Sequence, residues 1–308
     1  MKKQIVSFAV AVGVLTVAAF VPSAGAQQAF KSAQEATDAL VAAVRAGDAK
    51  AIARVLGPGS DEITSSGDKV QDENTRKDVL AAYDAKHGLT KDATGRTFIT
   101  VGSDDFPVAI PIVEKDGVWK FDTVAGREEV LYRRIGRNEL ATIEAALAYV
   151  DAQNDYAVLA PAGGLGVYAQ RIVSSPGKKD GLYWPAAQDG PESPLGEAVA
   201  AATASGYRIG GARAPFHGYF FKILTRQGPT APGGAINYIA NGKMIGGFAL
   251  VAYPAQYGNS GVMTFMVNHM GEVFQKDLGA KTSQIASGMT AFNPDRTWQR
   301  VTEVVEKK

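Results

Sequence analysis

Gly258-Asn259-Ser260-Gly261, with His217 and His269 not far away along the chain, holds the residue types of a nucleophilic hydrolase. A nucleophile elbow needs Gly-x-Ser-x-Gly between a strand and a helix, so that a strained turn exposes the serine hydroxyl. Here the second glycine comes one residue early, and Val262-Met263-Thr264-Phe265-Met266-Val267 follows with the alternation of a strand. The Gly-x-Ser-Gly echo of trypsin-like proteases would need a two-barrel β architecture, which the helical stretches of this chain do not fit. We therefore read the stretch as a hairpin turn.

The other chemical candidates are scattered. His87, His217 and His269 show no paired ligand spacing and no cysteine accompanies them, so no metal is expected. His87 precedes Gly88 at a helix end, where an imidazole can serve the last carbonyls. His217 is the histidine set among aromatics and glycine, in Pro215-Phe216-His217-Gly218-Tyr219, and is a candidate ligand contact. The carboxylate pairs Asp61-Glu62 and Asp104-Asp105 sit in polar loops, where adjacent side chains diverge rather than flank a glycosidic bond. The glycine-rich run 228–234 lacks the Lys-Ser or Lys-Thr of a phosphate loop, and no cofactor is expected. Tyr183-Trp184 and Tyr219-Phe220-Phe221 could stack on a sugar ring. The second group alternates as a strand core would, which leaves Tyr183 and Trp184, in a proline- and glycine-rich loop, as the better surface candidates. The candidate ligand-binding residues are thus His217, Tyr219, Tyr183 and Trp184.

These residues must be positioned by elements that the pattern also predicts. Ser32-Ala33-Gln34-Glu35 is a capping box opening a helix that carries Ala36, Leu40, Val41 and Val44 and stops at Gly47. Asp48 caps a second helix carrying Ile52, Val55 and Leu56, ended by Gly57-Pro58-Gly59. A loop is expected over 60–72 and a third helix over 74–87. Strands follow at 97–101, 106–113 and 118–122, with Asp116-Gly117 as a two-residue hairpin turn. From 127 to 156 the helical period returns, with Ile135, Leu140, Ile143, Leu147 and Val150 as its apolar stripe. After a loop-rich stretch and a short helix near 195–204, strands are expected at 219–225, 235–240, 248–253, 262–268 and 273–276. The fold class is α+β: N-terminal helices and an antiparallel meander, then a long helix packed on a C-terminal antiparallel sheet. The expected organisation is a signal peptide at 1–26, a domain at 27–126 and a second at 127–308.

Met1-Lys2-Lys3, an apolar run from Ile5 to Val21 and the small residues Ala24 and Ala26 form the three parts of a secretory leader, with cleavage after Ala26. The chain has no cysteine, which excludes disulfides and a lipidated cysteine at the new terminus. Cleavage takes two of the 32 basic residues and leaves 30 against 31 acidic ones. That balance gives no footprint for nucleic acid or an anionic membrane, and no membrane span is expected after cleavage. The mature chain is expected in the periplasm or outside the cell.

Several stretches together carry a resemblance. They include Val55-Leu56-Gly57-Pro58, Ser66-Gly67-Asp68, Asp180-Gly181-Leu182-Tyr183-Trp184-Pro185, His217-Gly218-Tyr219-Phe220-Phe221-Lys222-Ile223-Leu224-Thr225, Gly246-Gly247-Phe248-Ala249-Leu250-Val251-Ala252-Tyr253-Pro254 and Asn293-Pro294-Asp295. On these the chain resembles the exported bacterial family known as domain of unknown function 2950 over nearly its whole mature length. The resemblance implies no activity and carries no catalytic residues. Residues 30–123, ending in Gly117-Val118-Trp119-Lys120-Phe121-Asp122, resemble small cone-shaped domains of the nuclear-transport-factor-2 type. The stretches Asn138-Glu139-Leu140-Ala141-Thr142-Ile143 and Gly261–Val273 resemble the soluble head of pilin-like proteins, although here the helix is internal and amphipathic.

The expectation from all of this is a non-catalytic envelope protein that binds or assembles with another envelope protein or a glycan. The alternative is an envelope hydrolase acting on a glycan or cell-wall substrate, with a constellation drawn from His217, Asp68 or Asp105.

Overall fold

The computed structural model describes residues 27–161, 164–185, 191–208 and 214–302. The expected leader, 1–26, lies outside them. Helix α1 (Ala33–Ala46) opens as its sequence requires: Ser32 Oγ accepts from the Glu35 N–H at 3.1 Å. The Glu35 carboxylate accepts from Lys31 N, one residue before the cap, at 2.8 Å. Asp48 caps α2 (Ala49–Leu56) by accepting from Lys50 N and Ala51 N. The expected loop at 60–72 contains a short helix, α3 (Ser60–Thr64), and α4 (Lys69–Ala85) starts earlier than the expected residue 74 because Asp68 caps it.

The chain then turns into β1 (His87–Lys91), a strand the sequence reading missed. His87 still serves the helix end, with Nδ1 2.8 Å from the Tyr83 carbonyl and its ring stacked on Tyr83 at 3.8 Å. Strands β2 (Thr97–Val101), β3 (Phe106–Pro107), β4 (Ile112–Lys115) and β5 (Val118–Phe121) complete an antiparallel sheet of order β1-β2-β4-β5, with β3 on β2. The expected 106–113 strand is broken between β3 and β4, where Pro107 and Pro111 have no N–H to give a ladder. Asp116 and Gly117 both have positive φ, the twist that joins β4 to β5. Helix α1 covers β4 and β5, and α4 covers β1 and β2, around Ala36, Leu40, Ile52, Leu56, Ile99, Ile112 and Phe121.

Helix α5 (Thr123–Leu159) is 37 residues long and is capped by Asp122, which accepts from Ala125 N at 3.0 Å. The expected domain boundary near Gly126 falls inside it. Its buried stripe differs from the expected one in the first half. Leu140 is 51% exposed, while Arg134, Asn138 and Thr142, four residues apart, are 8%, 0% and 0% exposed. Farther along, Ile143, Ala146, Tyr149, Val150 and Tyr156 enter the second core.

After α6 (Gly196–Ala204) come β6 (Tyr219–Leu224), the short strands β7 (Arg226–Gln227), β8 (Ile236–Asn237), β9 (Ile239–Ala240) and β10 (Lys243–Met244), then β11 (Ala249–Pro254), β12 (Met263–Asn268) and β13 (Val273–Asp277). Helix α7 (Thr282–Gly288) and β14 (Gln299–Arg300) finish the described chain. The main sheet is antiparallel with order β14-β13-β12-β11-β6. Strand β11 is buried along its whole length, which explains why it reads as an unbroken apolar run rather than an alternating one. Helix α5 packs against β11, β12 and β13, and α7 against β11. Helix α7 was not expected from its sequence; Lys222 Nζ on β6 donates to the Ser287 and Met289 carbonyls at its end, both at 2.6 Å. Among the described residues no helix is long and apolar enough to cross a membrane.

Candidate functional site

The polar stripe of α5 is where the helical layer of the N-terminal half meets the C-terminal sheet. Arg134 donates to the carbonyls of Glu62 and Ile63, at the end of α3, and to Asn259 Oδ1 in the β11–β12 loop. Helix ends leave such carbonyls without internal partners, so a buried guanidinium fits them well. Burial lowers the Arg134 pKa, and Asp72 pulls it back up. One turn on, Asn138 Nδ2 donates to the Ser260 carbonyl at 2.9 Å and Oδ1 accepts from Gln71 Nε2 of α4 at 3.0 Å. Glu139 accepts from Val262 N and Met263 N, each at 2.9 Å.

Beside this stripe lies a group of chemically capable side chains: Asp68, Tyr207 and His217. Asp68, only 2% exposed, accepts from Gln71 N through Oδ1, and from the Tyr207 hydroxyl at 2.8 Å and Gly218 N at 3.1 Å through Oδ2. The Tyr207 oxygen accepts in turn from His217 N at 3.4 Å. The His217 ring is half-buried between Phe216, 4.2 Å away, and Tyr207, 5.8 Å away. Burial lowers the His217 pKa, against the pull of Asp68, so its imidazole is neutral at pH 7. The Tyr207 phenol is raised by burial and by its bond to Asp68. Gly218 has φ +75°, and a Cβ there would lie 2.7 Å from Asn138 Nδ2, so the chain passes this point only as glycine.

Ser260 is fully buried, and its hydroxyl closes its own loop, accepting from Gln256 N at 2.9 Å and donating to the Gln256 carbonyl at 3.2 Å. The turn read from Gly258-Asn259-Ser260-Gly261 links β11 to β12, with its Asn259 and Ser260 docked on α5. Asp105 lies elsewhere, in an exposed ion pair with Lys86 at 2.7 Å.

The four candidate ligand residues do not gather. Tyr219 is fully buried under α5, donating to the Met263 carbonyl at 3.0 Å, with its pKa raised by burial and then by Glu139. Trp184 is also buried; its ring meets Tyr156 edge-on at 6.3 Å and its indole N–H donates to the Pro191 carbonyl. Tyr183 is half-buried beside it, pairing through its backbone with 172–174. Neither Tyr183 nor Trp184 is among the ring partners of His217. A shallow groove of about 500 Å³ lies instead on the N-terminal half, between β1, β2 and the start of α5, with Phe98, Val108 and Pro111 beneath two ion pairs. Arg96 pairs with Asp92 at 2.8 Å and Arg133 with Glu129 at 2.6 Å. Hydrogen bonds from Thr94 and then Arg96 hold Asp92 down to about 2. Among the described residues no cluster of three histidine or carboxylate side chains could hold a metal ion.

Sequence reasoning missed Arg134, Asn138, Glu139, Gln71 and Tyr207. A signal for two of these positions was present, because Arg134 and Asn138 repeat with Thr142 at four-residue spacing in a helix and so share one face.

No curated protein and no solved structure matches the chain. The family model described as "Protein of unknown function (DUF2950)" matches residues 27–301, a span that includes the loops at Ser66-Gly67-Asp68 and His217-Gly218-Tyr219. This chain therefore belongs to the DUF2950 family.

Proposed function

We propose that this chain is an exported, non-catalytic module that binds or assembles with an envelope protein or a glycan. The observation that carries this reading is how the reactive side chains are used. The Asp68 carboxylate is buried and accepts three hydrogen bonds, from Tyr207, Gly218 and Gln71, and the buried Ser260 hydroxyl is engaged in closing its own loop. Groups so engaged hold two halves together; a general base or nucleophile needs a free lone pair facing substrate. The basic start, apolar run and Ala24-x-Ala26 site support export to the periplasm or beyond it. In this reading the units 27–126 and 127–308 meet on α5, and the second serves as a pilin-head-like support. His217 and Tyr183, both partly exposed, are the proposed contacts, while Trp184 and Tyr219 support them from the core.

Crosslinking in intact cells, followed by purification of the tagged mature chain and mass spectrometry, tests the reading. A specific, saturable envelope partner, or a thermal shift with glycan fragments, is the expected result. The second reading, an envelope hydrolase, draws on the neutral His217 imidazole beside Asp68 and Tyr207. Turnover of a wall or glycan substrate that His217→Ala abolishes while the fold is kept would establish it in place of the first.

A further inference from the structure

We propose that Gln27 is the first residue of the exported chain and that the fold guards its side-chain amide against cyclisation to pyroglutamate. The first half of this rests on the export reading, since cleavage after Ala26 would leave Gln27 with a free α-amine. The second half rests on what Gln27 touches. Its Nε2 lies 2.8 Å from the Leu56 carbonyl, 2.7 Å from the Phe121 carbonyl and 3.3 Å from the Val55 carbonyl. Val55 and Leu56 end α2, where carbonyls have no partner within the helix, and Phe121 ends β5. A glutamine distant in sequence thus caps one element and ties it to another.

The surroundings are built for that amide. Gln28 N donates to the Arg54 carbonyl at 2.8 Å, and Phe30 exchanges two backbone bonds with Trp119, at 2.9 and 3.0 Å, so the chain leading on from the slot is fixed. Gly57, at φ +85°, forms the wall: a Cβ there would stand 2.8 Å from Gln27 Cγ and Cδ. The slot therefore admits the Gln27 side chain only because residue 57 has no side chain of its own.

An N-terminal glutamine cyclises without any partner. The α-nitrogen attacks Cδ, the new N–Cδ bond forms as the Cδ–Nε2 bond breaks, and the amide nitrogen takes up the displaced proton and leaves as ammonia. The lactam has no NH₂ group, so it cannot serve the Leu56, Phe121 and Val55 carbonyls. In the folded chain the reaction must wait for the side chain to leave its slot, a local opening. A chain that unfolds or never folds is free to lose ammonia, and afterwards cannot rebuild the cap. The N-terminal chemistry then records whether the chain has stayed folded.

The test is mass spectrometry of the N-terminal peptide of the exported protein, purified through a C-terminal tag and incubated either folded or in urea. The expected terminus is Gln27 with an open amide, losing one ammonia at least about tenfold more slowly when folded than in urea. Gly57→Ala, which crowds the slot, is expected to bring the folded rate toward the unfolded one. Equal rates in the folded and urea-treated wild type, or a terminus already cyclised in the native protein, would overturn the proposal without recourse to the variant. A mature chain starting at another residue overturns it but leaves export standing. An intact leader overturns the export reading as well.

Discussion

Along α5, residues 134–142 are buried through Arg134, Asn138 and Thr142, whereas residues 146–157 are buried mainly through Ala146, Tyr149, Val150, Tyr156 and Ala157. The second stretch works by area. Its side chains interdigitate with Leu250, Phe265 and Val267 of the sheet, and its polar members are satisfied nearby: Gln153 exchanges bonds with Ala169 and donates to the Tyr149 hydroxyl. The first stretch works by matching. Arg134 and Asn138 find their partners on other segments, α3, α4 and the β11–β12 loop, while Thr142 donates back to the Asn138 carbonyl, so the seam is held by directional bonds. Apolar burial tolerates small shifts because it is non-directional, whereas a buried hydrogen bond lost to a shift leaves a donor or acceptor unpaired. One helix thus supplies strength at one end and register at the other.

The largest test of this contrast is Tyr156→Ala. Tyr156 is 1% exposed, packs on Trp184 and donates to the Lys179 carbonyl at 2.7 Å. Its truncation is expected to cost about 3–5 kcal/mol in urea unfolding, and a loss below about 1 kcal/mol would mean that the apolar half does not carry the strength assigned to it. Arg134→Met comes next. It keeps most of the side-chain volume but leaves the Glu62 and Ile63 carbonyls without their donor, at an expected cost of about 1–3 kcal/mol. A neutral or stabilising outcome would show that the seam gains nothing from its buried cation, as happens in some proteins.

A smaller effect should appear with pH. Burial lowers the pKa values of both His217, on the seam, and His269, beside Phe248. For His217, Asp68 and Glu144 pull upward while Arg137 pushes down. A histidine whose folded value lies below its unfolded one binds protons more readily when unfolded. Its contribution is therefore complete above the unfolded value, about 6.5, and is lost as pH falls through that value toward the folded one. The urea midpoint should drop between about pH 7.5 and about pH 5.5, and His217→Gln should remove part of the drop. A midpoint that rises on acidification over that range would refute the assignment. The smallest effect is expected for Leu140→Ser. The helical pattern put Leu140 on the apolar stripe, yet it is 51% exposed, so stability should change by no more than about 0.5 kcal/mol. A loss of core size would return the sequence-derived stripe to the seam.

Much of the fold was legible because its signals are local. Ser32, Asp48 and the Asp116-Gly117 turn act within a few residues of themselves, and each forms what its sequence predicts. Strands β2, β6, β11, β12 and β13 fall within a residue or two of expectation, since their apolar runs and glycine or proline boundaries are local as well. Short or interrupted elements escaped. Helix α7 has no side-chain cap at its start, and Lys222 from β6 serves carbonyls at its end. Strand β1 has one half-buried residue among four exposed ones, too little alternation to register. Asp68 was placed in an expected loop and in a possible constellation with His217. That the two lie together could not be derived, because Asp68 reaches Tyr207 and Gly218 over 139 and 150 residues.

By itself the sequence determined the longer elements, the α+β class, the local caps and turns, the hairpin role of Ser260 and the membership of a family. Each of these depends on neighbours in the chain, or on residue types that need no partner to be read. The tertiary structure alone decided which face of α5 is buried along its first half, that Trp184 belongs to the core, and that Asp68, Tyr207 and His217 share one seam. Those outcomes depend on hydrogen bonds and packing between segments far apart in sequence. Their geometry exists only once α5 has brought the two sets of loops together.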